Sequence, residues 1–462
     1  SGYGNRREFL DFMFNYDRGF DGHNIGAVAR FTRDALVETV NYESILENGI
    51  VVNRNYSNDI KNGLARKNEA LAGRVTYNYR NRYFTDFNFG YTGSENFARG
   101  NQYGFFPAVS FAWNISEEKI FKENAEWMNL LKVRFSYGRT GNDQLMNRER
   151  FPYLYDIGGA GGYQWADFGS TRSFEGLRYS QVASPYVSWE VSLKQNLGFD
   201  INLFNNKFES SIELFDEERT GIYMPRNFLP EIVGLESIPR ANVGAVSSKG
   251  FEGRFSYKQK IGEVNVTARG YITYSKNKIL ERDEENNVYP YQNSEGFRVD
   301  QAKGLIALGL FKDYDDIRNS PTQTFGAYQP GDIKYKDING DGIIDNGDIV
   351  AIGATRRPNL IYGLGSSFQW KGIDINMHIQ GAGKSTFSTY GKTVYAFSEG
   401  EWGQVMKGVM GDNRWISADI SGDPSTEDPN ASYPRLSFGA FPNNFRESTF
   451  WLRNGQYLRL KN

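Results

Sequence analysis

There is no cysteine in the 462 residues, which excludes disulfides, thiolate metal sites and cysteine nucleophiles. Histidine is nearly missing too: His23 and His378 are the only two, too few for an imidazole zinc site or a catalytic triad. No apolar run reaches the ~18 residues that a helix needs to cross a bilayer, so helical membrane spans are excluded. Charge of one sign is not in excess either. Lys and Arg total 53 against 55 Asp and Glu, and no basic stripe is present to neutralise a phosphate backbone, so nucleic acid is not an expected partner. The sequence also lacks a nucleophile elbow, a phosphate-cradling glycine loop and a metalloprotease helix.

What the chain does have is rings and glycine. Phe 34, Tyr 29 and Trp 8 make 15% of the residues, beside 50 glycines, in a chain of low mean hydropathy. A β-barrel in lipid accounts for both halves of this composition, because its outer band is apolar with aromatic girdles while its lumen and outer loops are polar. Glycine serves turns and narrow lumen positions, although a soluble β-sandwich would be glycine-rich as well.

The dominant pattern is period-two alternation in segments of about 9–11 residues, the length that crosses a bilayer as a tilted strand. Leu71, Gly73, Val75, Tyr77 and Tyr79 face one way, and Ala72, Arg74, Thr76, Asn78 and Arg80 the other. After a turn near Asn81, Tyr83, Thr85, Phe87, Phe89 and Tyr91 oppose Phe84, Asp86, Asn88 and Gly90. Val109, Phe111 and Trp113 lead into a polar connection with a helical turn, and Leu131, Val133, Phe135 and Tyr137 then alternate with Lys132, Arg134, Ser136 and Gly138. Leu193 to Leu203 alternates in the same way, Asn205-Asn206 turns the chain, and Phe208, Ile212 and Leu214 follow. Phe251 to Tyr257 with Val264 to Tyr274, and Tyr362 to Trp370 with Ile373 to Ile379 across Lys371-Gly372, are further hairpins. With Leu10 to Tyr16 before Asp21-Gly22, the template yields about a dozen strands. Short turns alternate with long connections at 146–184, 280–358 and 381–447, as in outer-membrane barrels.

A soluble all-β protein, such as two sandwiches, is the competing reading, since its strands also alternate. Tyrosines at strand ends, Arg, Lys and Asp in mid-strand on the polar face, and long loops sharing one side count against it.

Several stretches resemble the SusC/RagA family of TonB-dependent outer-membrane transporters. They are YNYRNRYFTDFNFGYTGSENF, YGFFPAVSFAWNISEE, LKVRFSYGRTGND, WEVSLKQNLGFDINLFNNKF, ANVGAVSSKGFE, PGDIKYKDINGDGIID and FWLRNGQYLRLKN, similar in order and spacing over nearly the whole chain. The resemblance implies an all-β fold: an antiparallel transmembrane β-barrel, with residues 1–462 forming part of a 22-stranded wall. The family also has a plug domain and a TonB-contacting segment. Neither is recognised here, and the family's last strands would lie beyond Asn462, so the chain is expected to be an incomplete barrel part without the plug.

The sharpest local motif lies in the loop region 281–358, at 337–348. Asp337, Asn339 and Asp341 offer side-chain oxygens at alternate positions, Gly342 permits the sharp turn, Ile343 would offer its carbonyl, and Asp345 and Asp348 would close the shell of a calcium-type loop. Asp348 stands where such loops carry glutamate, and its shorter arm is less suited to bidentate binding. An acidic β-turn cluster with no ion is the alternative; a bound calcium would be structural, bracing the loop.

Adjacent carboxylates at Glu117-Glu118, Glu217-Glu218 and Asp315-Asp316 make poor acid/base pairs, because neighbours on a strand point to opposite faces. No enzyme activity is expected. Arg74, Lys132, Arg134 and Asp200 fall on the lumen-side face by alternation and would set the field felt by a solute. Tyr153, Tyr155, Tyr163, Trp165, Trp402 and Trp415 in the long connections could stack on sugar rings, grip a peptide, or simply pack the loops.

The function that the resemblance implies is TonB-dependent import of a nutrient, an oligosaccharide or oligopeptide, across the outer membrane of a Gram-negative, Bacteroidetes-like bacterium. Its implied partners are a SusD-like surface lipoprotein acting as a lid, the TonB complex through the plug, and outer-membrane lipid. An adhesin or structural barrel that moves nothing, and a secreted glycan-active β-protein, are the alternatives from other classes.

Overall fold

A computed structural model describes residues 2–45, 51–56, 66–146, 149–167, 170–235, 237–285, 287–398, 405–411, 413–439 and 441–461. The chain divides into two compact units. The first comprises Ser1–Tyr271, Ile279–Glu285 and Ser367–Asp374, and the second Ile272–Lys278, Asn286–Ser366 and Ile375–Asn462.

The first unit is built on long strands: β1 (Gly2–Phe20), β2 (His23–Ile45), β3 (Val51–Tyr56), β4 (Arg66–Tyr79), β5 (Tyr83–Ser94), β6 (Tyr103–Asn114), β7 (Met128–Asn142), β8 (Asp156–Asp167), β9 (Ser170–Gln181), β10 (Glu190–Leu203), β11 (Phe208–Pro225), β12 (Arg240–Ile261) and much of β13 (Val264–Glu281). The order across its sheet is β1-β2-β4-β5-β6-β7-β10-β11-β12, and each of these neighbours pairs antiparallel. Residues Asp21 and Gly22, at φ 47° and 81°, form the two-residue turn between β1 and β2, whose backbone twist suits the right-handed twist of the strands it joins. Asn205 and Asn206 also have positive φ, as the turn reading requires. The polar connection after β6 contains a helix at Lys119–Asn124. No helix among the described residues is long and apolar enough to cross a membrane.

Register turns the alternation into rows. One row runs Ile25, Tyr77, Thr85, Phe111, Phe135, Leu197, Leu214 and Phe251, crossing the sheet from β2 to β12 on a single face. Its large side chains are left bare: Phe111 is 52% exposed, Phe135 42% and Leu214 46%. Apolar groups spread over a whole sheet face in this way are suited to hydrocarbon rather than water. One residue along, the row on the other face reads Asn24, Asn78, Phe84, Ala112, Arg134, Gly198, Glu213 and Glu252.

The 146–184 connection holds strands as well, the β8–β9 hairpin, which alternation did not reveal because glycines interrupt its pattern.

The second unit contains β14 (Lys303–Gly304), β15 (Ala307–Leu310), β16 (Thr322–Gln323), β17 (Ile333–Tyr335), β18 (Ile343–Ile344) and β19 (Val350–Ala351), most of β20 (Leu360–Trp370) and β21 (Ile373–Gly383), then β22 (Thr386–Ser388), β23 (Leu452–Asn454) and β24 (Tyr457–Leu460). Here β21 pairs with β24 from Ile379–Leu460 to Ala382–Tyr457. The rest of the unit has a core of its own around Leu305, Ile333, Tyr335, Ile344 and Trp451. Polar side chains knit that core: Gln323 donates to Ile333 O at 3.0 Å and accepts from Tyr335 N at 2.7 Å, while Asn444 accepts from Ile333 N at 2.9 Å.

Candidate functional site

The polar rows of the first unit enclose a cleft of about 590 Å³, whose lining includes Arg74, Asp86, Lys132, Arg134, Asn196 and Glu213. Its centre is Arg134 on β7. The guanidinium donates through Nε to Asp200 Oδ2 at 2.7 Å and through Nη2 to Glu213 Oε1 at 2.7 Å, reaching two successive neighbouring strands. It crosses β10 at Gly198, where an added Cβ would lie only 2.9 Å from Nη2. Ser211 Oγ steadies Asp200 with a hydrogen bond to Oδ1 at 2.9 Å. Across the cleft Arg74 pairs with Asp86, whose other oxygen is buried without a partner. Lys132 faces Asp200 in register, and its ammonium sits 4.1 Å over the Phe84 ring.

Partly exposed ion pairs of this kind contribute about 0–1 kcal/mol each to stability. What they impose is a field of alternating sign on a wetted surface. A solute in the cleft meets guanidinium and ammonium donors interleaved with carboxylate acceptors, an arrangement that can bind a polar molecule. Of the residues assigned to this face from alternation, Arg74, Lys132 and Arg134 line the cleft, and Asp200 holds Arg134 in place.

The 337–348 loop has a tightly wound geometry. Asp337 accepts from Gly340 N at 2.6 Å and from Gly342 N at 2.9 Å, Asn339 from Asp341 N at 3.0 Å, and Asp341 from Ile343 N at 2.8 Å. Asp345 accepts from Gly347 N, and the fully buried Asp348 accepts from Ile338 N at 2.7 Å and Asp345 N at 2.9 Å. Gly340 and Gly342 have φ of 78° and 83°, the left-handed conformation that glycine adopts without strain. The donors are of the type a hard cation takes, and each carboxylate oxygen has a further lone pair beyond the one its amide occupies. Among the described residues, no three His, Cys, Asp or Glu side chains converge on one point.

No family model matches the chain. It is 25% identical over 482 residues to "TonB-dependent receptor P3" of Formosa agariphila, covering 97% of this chain and 44% of that protein. It is 22% identical over 400 residues to "TonB-dependent receptor SusC" of Bacteroides thetaiotaomicron, covering 84% of this chain and 36% of that one. In fold it matches the structure of the RagAB peptide transporter with a TM-score of 0.71 at 17% identity, over 99% of this chain and 48% of that chain. Over most of its length the chain is similar to TonB-dependent receptors, SusC among them, and it shares the fold of the RagAB peptide transporter. It spans less than half the length of these relatives.

The remaining candidates separate. Trp415 is 5% exposed and belongs to the core of the second unit, whereas Tyr155 is 64% exposed, its ring centroid 5.4 Å from that of Tyr179. Tyr153 is half-buried; Trp402 and the side chains of Tyr163 and Trp165 lie outside the described residues. His23 is a wall residue at the first turn, with Nδ1 2.9 Å from Tyr77 Oη. The adjacent carboxylates bind different partners: Glu117 pairs with Lys122 and Glu118 with Tyr83 Oη, Asp315 with Arg318 and Asp316 with Lys334. Sequence reasoning missed Gly198, whose importance lies only in what passes over it. It also missed the buried Asp332, which sits 2.8 Å from Arg435 Nε without an aligned hydrogen bond and accepts from Asn444 Nδ2 at 2.8 Å.

Proposed function

We propose that this chain forms part of the wall of a TonB-dependent importer that carries an oligosaccharide or oligopeptide across the outer membrane. A SusD-like surface lipoprotein would capture the ligand, and TonB would supply energy through a plug segment. The observation that carries this reading is the pairing of faces: a bare apolar face suited to lipid lies back to back with a charged, wetted cleft, in one sheet whose register keeps them apart. The likeness to TonB-dependent receptors supports the TonB-dependent part. The shared fold with RagAB, a peptide transporter, supports the oligopeptide option.

The test is uptake by cells carrying the full-length receptor, with and without its TonB-contacting segment. Loss of uptake on deletion is the expected result; unchanged uptake would exclude energised import and favour an adhesin or passive barrel. Affinity purification of the receptor from solubilised outer membrane is expected to bring down a SusD-like lipoprotein in matching amount.

A structural calcium at 337–348 is part of the same proposal. It is supported by the all-oxygen donor set at alternate positions and the two left-handed glycines that wind the loop.

A further inference from the structure

The second unit contains a cleft of about 310 Å³ whose lining includes Leu305, Phe325, Tyr390, Phe445 and Arg446. That is the lower end of the range for ligand pockets, room for one ring-sized group. Arg446 stands out within it. Its guanidinium carbon lies 4.1 Å from the centroid of Phe325, a core residue only 8% exposed, so the cation rests over a buried ring. Its Nε is nonetheless buried and hydrogen-bonds to nothing, and no carboxylate among the described residues forms an ion pair with it.

Several other cations of this unit are engaged, although the Nε of Arg414 is also buried without a hydrogen-bond partner. Lys303, in the same cleft, donates Nζ to the carbonyl oxygens of Gln292 and Asn293; Lys334 pairs with Asp316 at 2.6 Å; Arg435 lies beside Asp332. Glu447 is the next residue to Arg446 and lines the same cleft, yet the two form no ion pair. A guanidinium lining a cleft without a carboxylate partner leaves its charge for an anionic one.

We propose that this cleft binds a carboxylate-bearing ligand, with the Arg446 guanidinium as its anchor and the Tyr390 ring beside it. The planar fork of arginine matches a carboxylate with two parallel hydrogen bonds, and the contact with the Phe325 ring places the cation in the cleft before a ligand arrives. The shared chemistry has two sources in the proposed cargo: a uronic-acid residue of an acidic oligosaccharide, or the C-terminus of a peptide. Calling the ligand a cargo rests on the import reading; the binding itself does not.

The experiment is calorimetric titration of the full-length receptor in detergent with trigalacturonate, its methyl ester, trialanine and trialanine amide. One of the two acids is expected to bind, with its neutral derivative weaker by about tenfold or more, as for loss of one partner of a buried charge pair. Arg446→Gln is expected to bring the acid down to the level of the neutral derivative and leave the latter unchanged, while Arg446→Lys, which keeps the charge over Phe325, recovers part of the difference. Which acid binds identifies the source. Equal binding of acid and neutral derivative, unchanged binding by Arg446→Gln, or binding of neither acid overturns the proposal. Should Arg446→Gln fail to fold, the comparison of acid with neutral derivative on the unaltered receptor and on Arg446→Lys decides it. No TonB is present in this assay, so intact binding with failed uptake counts against import and not against the cleft.

Discussion

Gly198 governs what Arg134 can reach. With hydrogen alone on its Cα, the guanidinium of Arg134 passes over β10 and joins Asp200 to Glu213. Gly198→Val would fill that passage, and the expected outcome is that Arg134 keeps Asp200, loses Glu213, and leaves a free carboxylate in the cleft. In the full-length receptor this should slow uptake of anionic solutes relative to neutral ones at unchanged receptor abundance; equal slowing of both would show that the substitution acts on the wall and not on the field. Asp332 makes the opposite case, a charge that holds structure. It is fully buried beside Arg435, so Asp332→Ala strands a cation and is expected to cost about 3–5 kcal/mol. Faster proteolysis of the second unit, with the wall still folded, is the readout. The two residues also differ in how visible they are in the sequence. Arg134 announces itself by standing in mid-strand on a polar face, whereas Gly198 and Asp332 acquire their roles from partners 64 and 103 positions away in the chain, at Arg134 and Arg435.

At the scale of elements, strands were legible wherever alternation was uninterrupted. β4 through β7 and β10 to β12 place their apolar positions as the period-two reading assigns them, and the turns at Asp21-Gly22 and Lys371-Gly372 have the positive φ that such dipeptides favour. The β8–β9 hairpin and the two- to four-residue strands of the second unit were not legible. Pieces that short carry no measurable period, and they exist because a distant core, built on Trp451, Tyr335 and Leu305, holds them. A pH effect belongs here. Burial pushes the Asp316 carboxyl up, but Lys334 and the Lys312 amide outweigh burial and hold it below the ordinary value. The folded form is therefore stabilised above the ordinary carboxylate pKa, near 3.8, and this contribution is lost as pH falls through the lowered value. Acid titration monitored by hydrogen exchange should show the helix at Tyr314–Arg318 loosening in that window, and Lys334→Gln should shift the loosening to higher pH. For the 337–348 loop, calcium is expected to raise resistance to proteolysis and a chelator to reverse it, while Asp341→Asn should weaken the response. Equal resistance with and without the ion would mark the loop as a turn cluster held by its own amides.

For the molecule as a whole, the placement of its two faces decides where a charge is tolerated. Leu197 and Asn196 are neighbours on β10, one in the apolar row and the other lining the cleft. Leu197→Lys should cost about 2–4 kcal/mol if it sits at mid-bilayer, and so reduce the amount of assembled, heat-modifiable receptor in the outer membrane. Asn196→Lys should leave assembly unchanged. Similar losses for both would contradict the assignment of faces.

The continuity of those rows has a further consequence, for insertion and deletion. Removing one residue from the middle of β6 would turn every side chain beyond the break to the opposite face, carrying Phe111 toward the cleft and setting polar partners against lipid. Exchanging one apolar residue for another in the same place leaves the faces as they were. A wall of this kind can therefore absorb wide change in the identity of its residues but almost none in their number, whereas the long connections, released from any shared row, are free to vary in length.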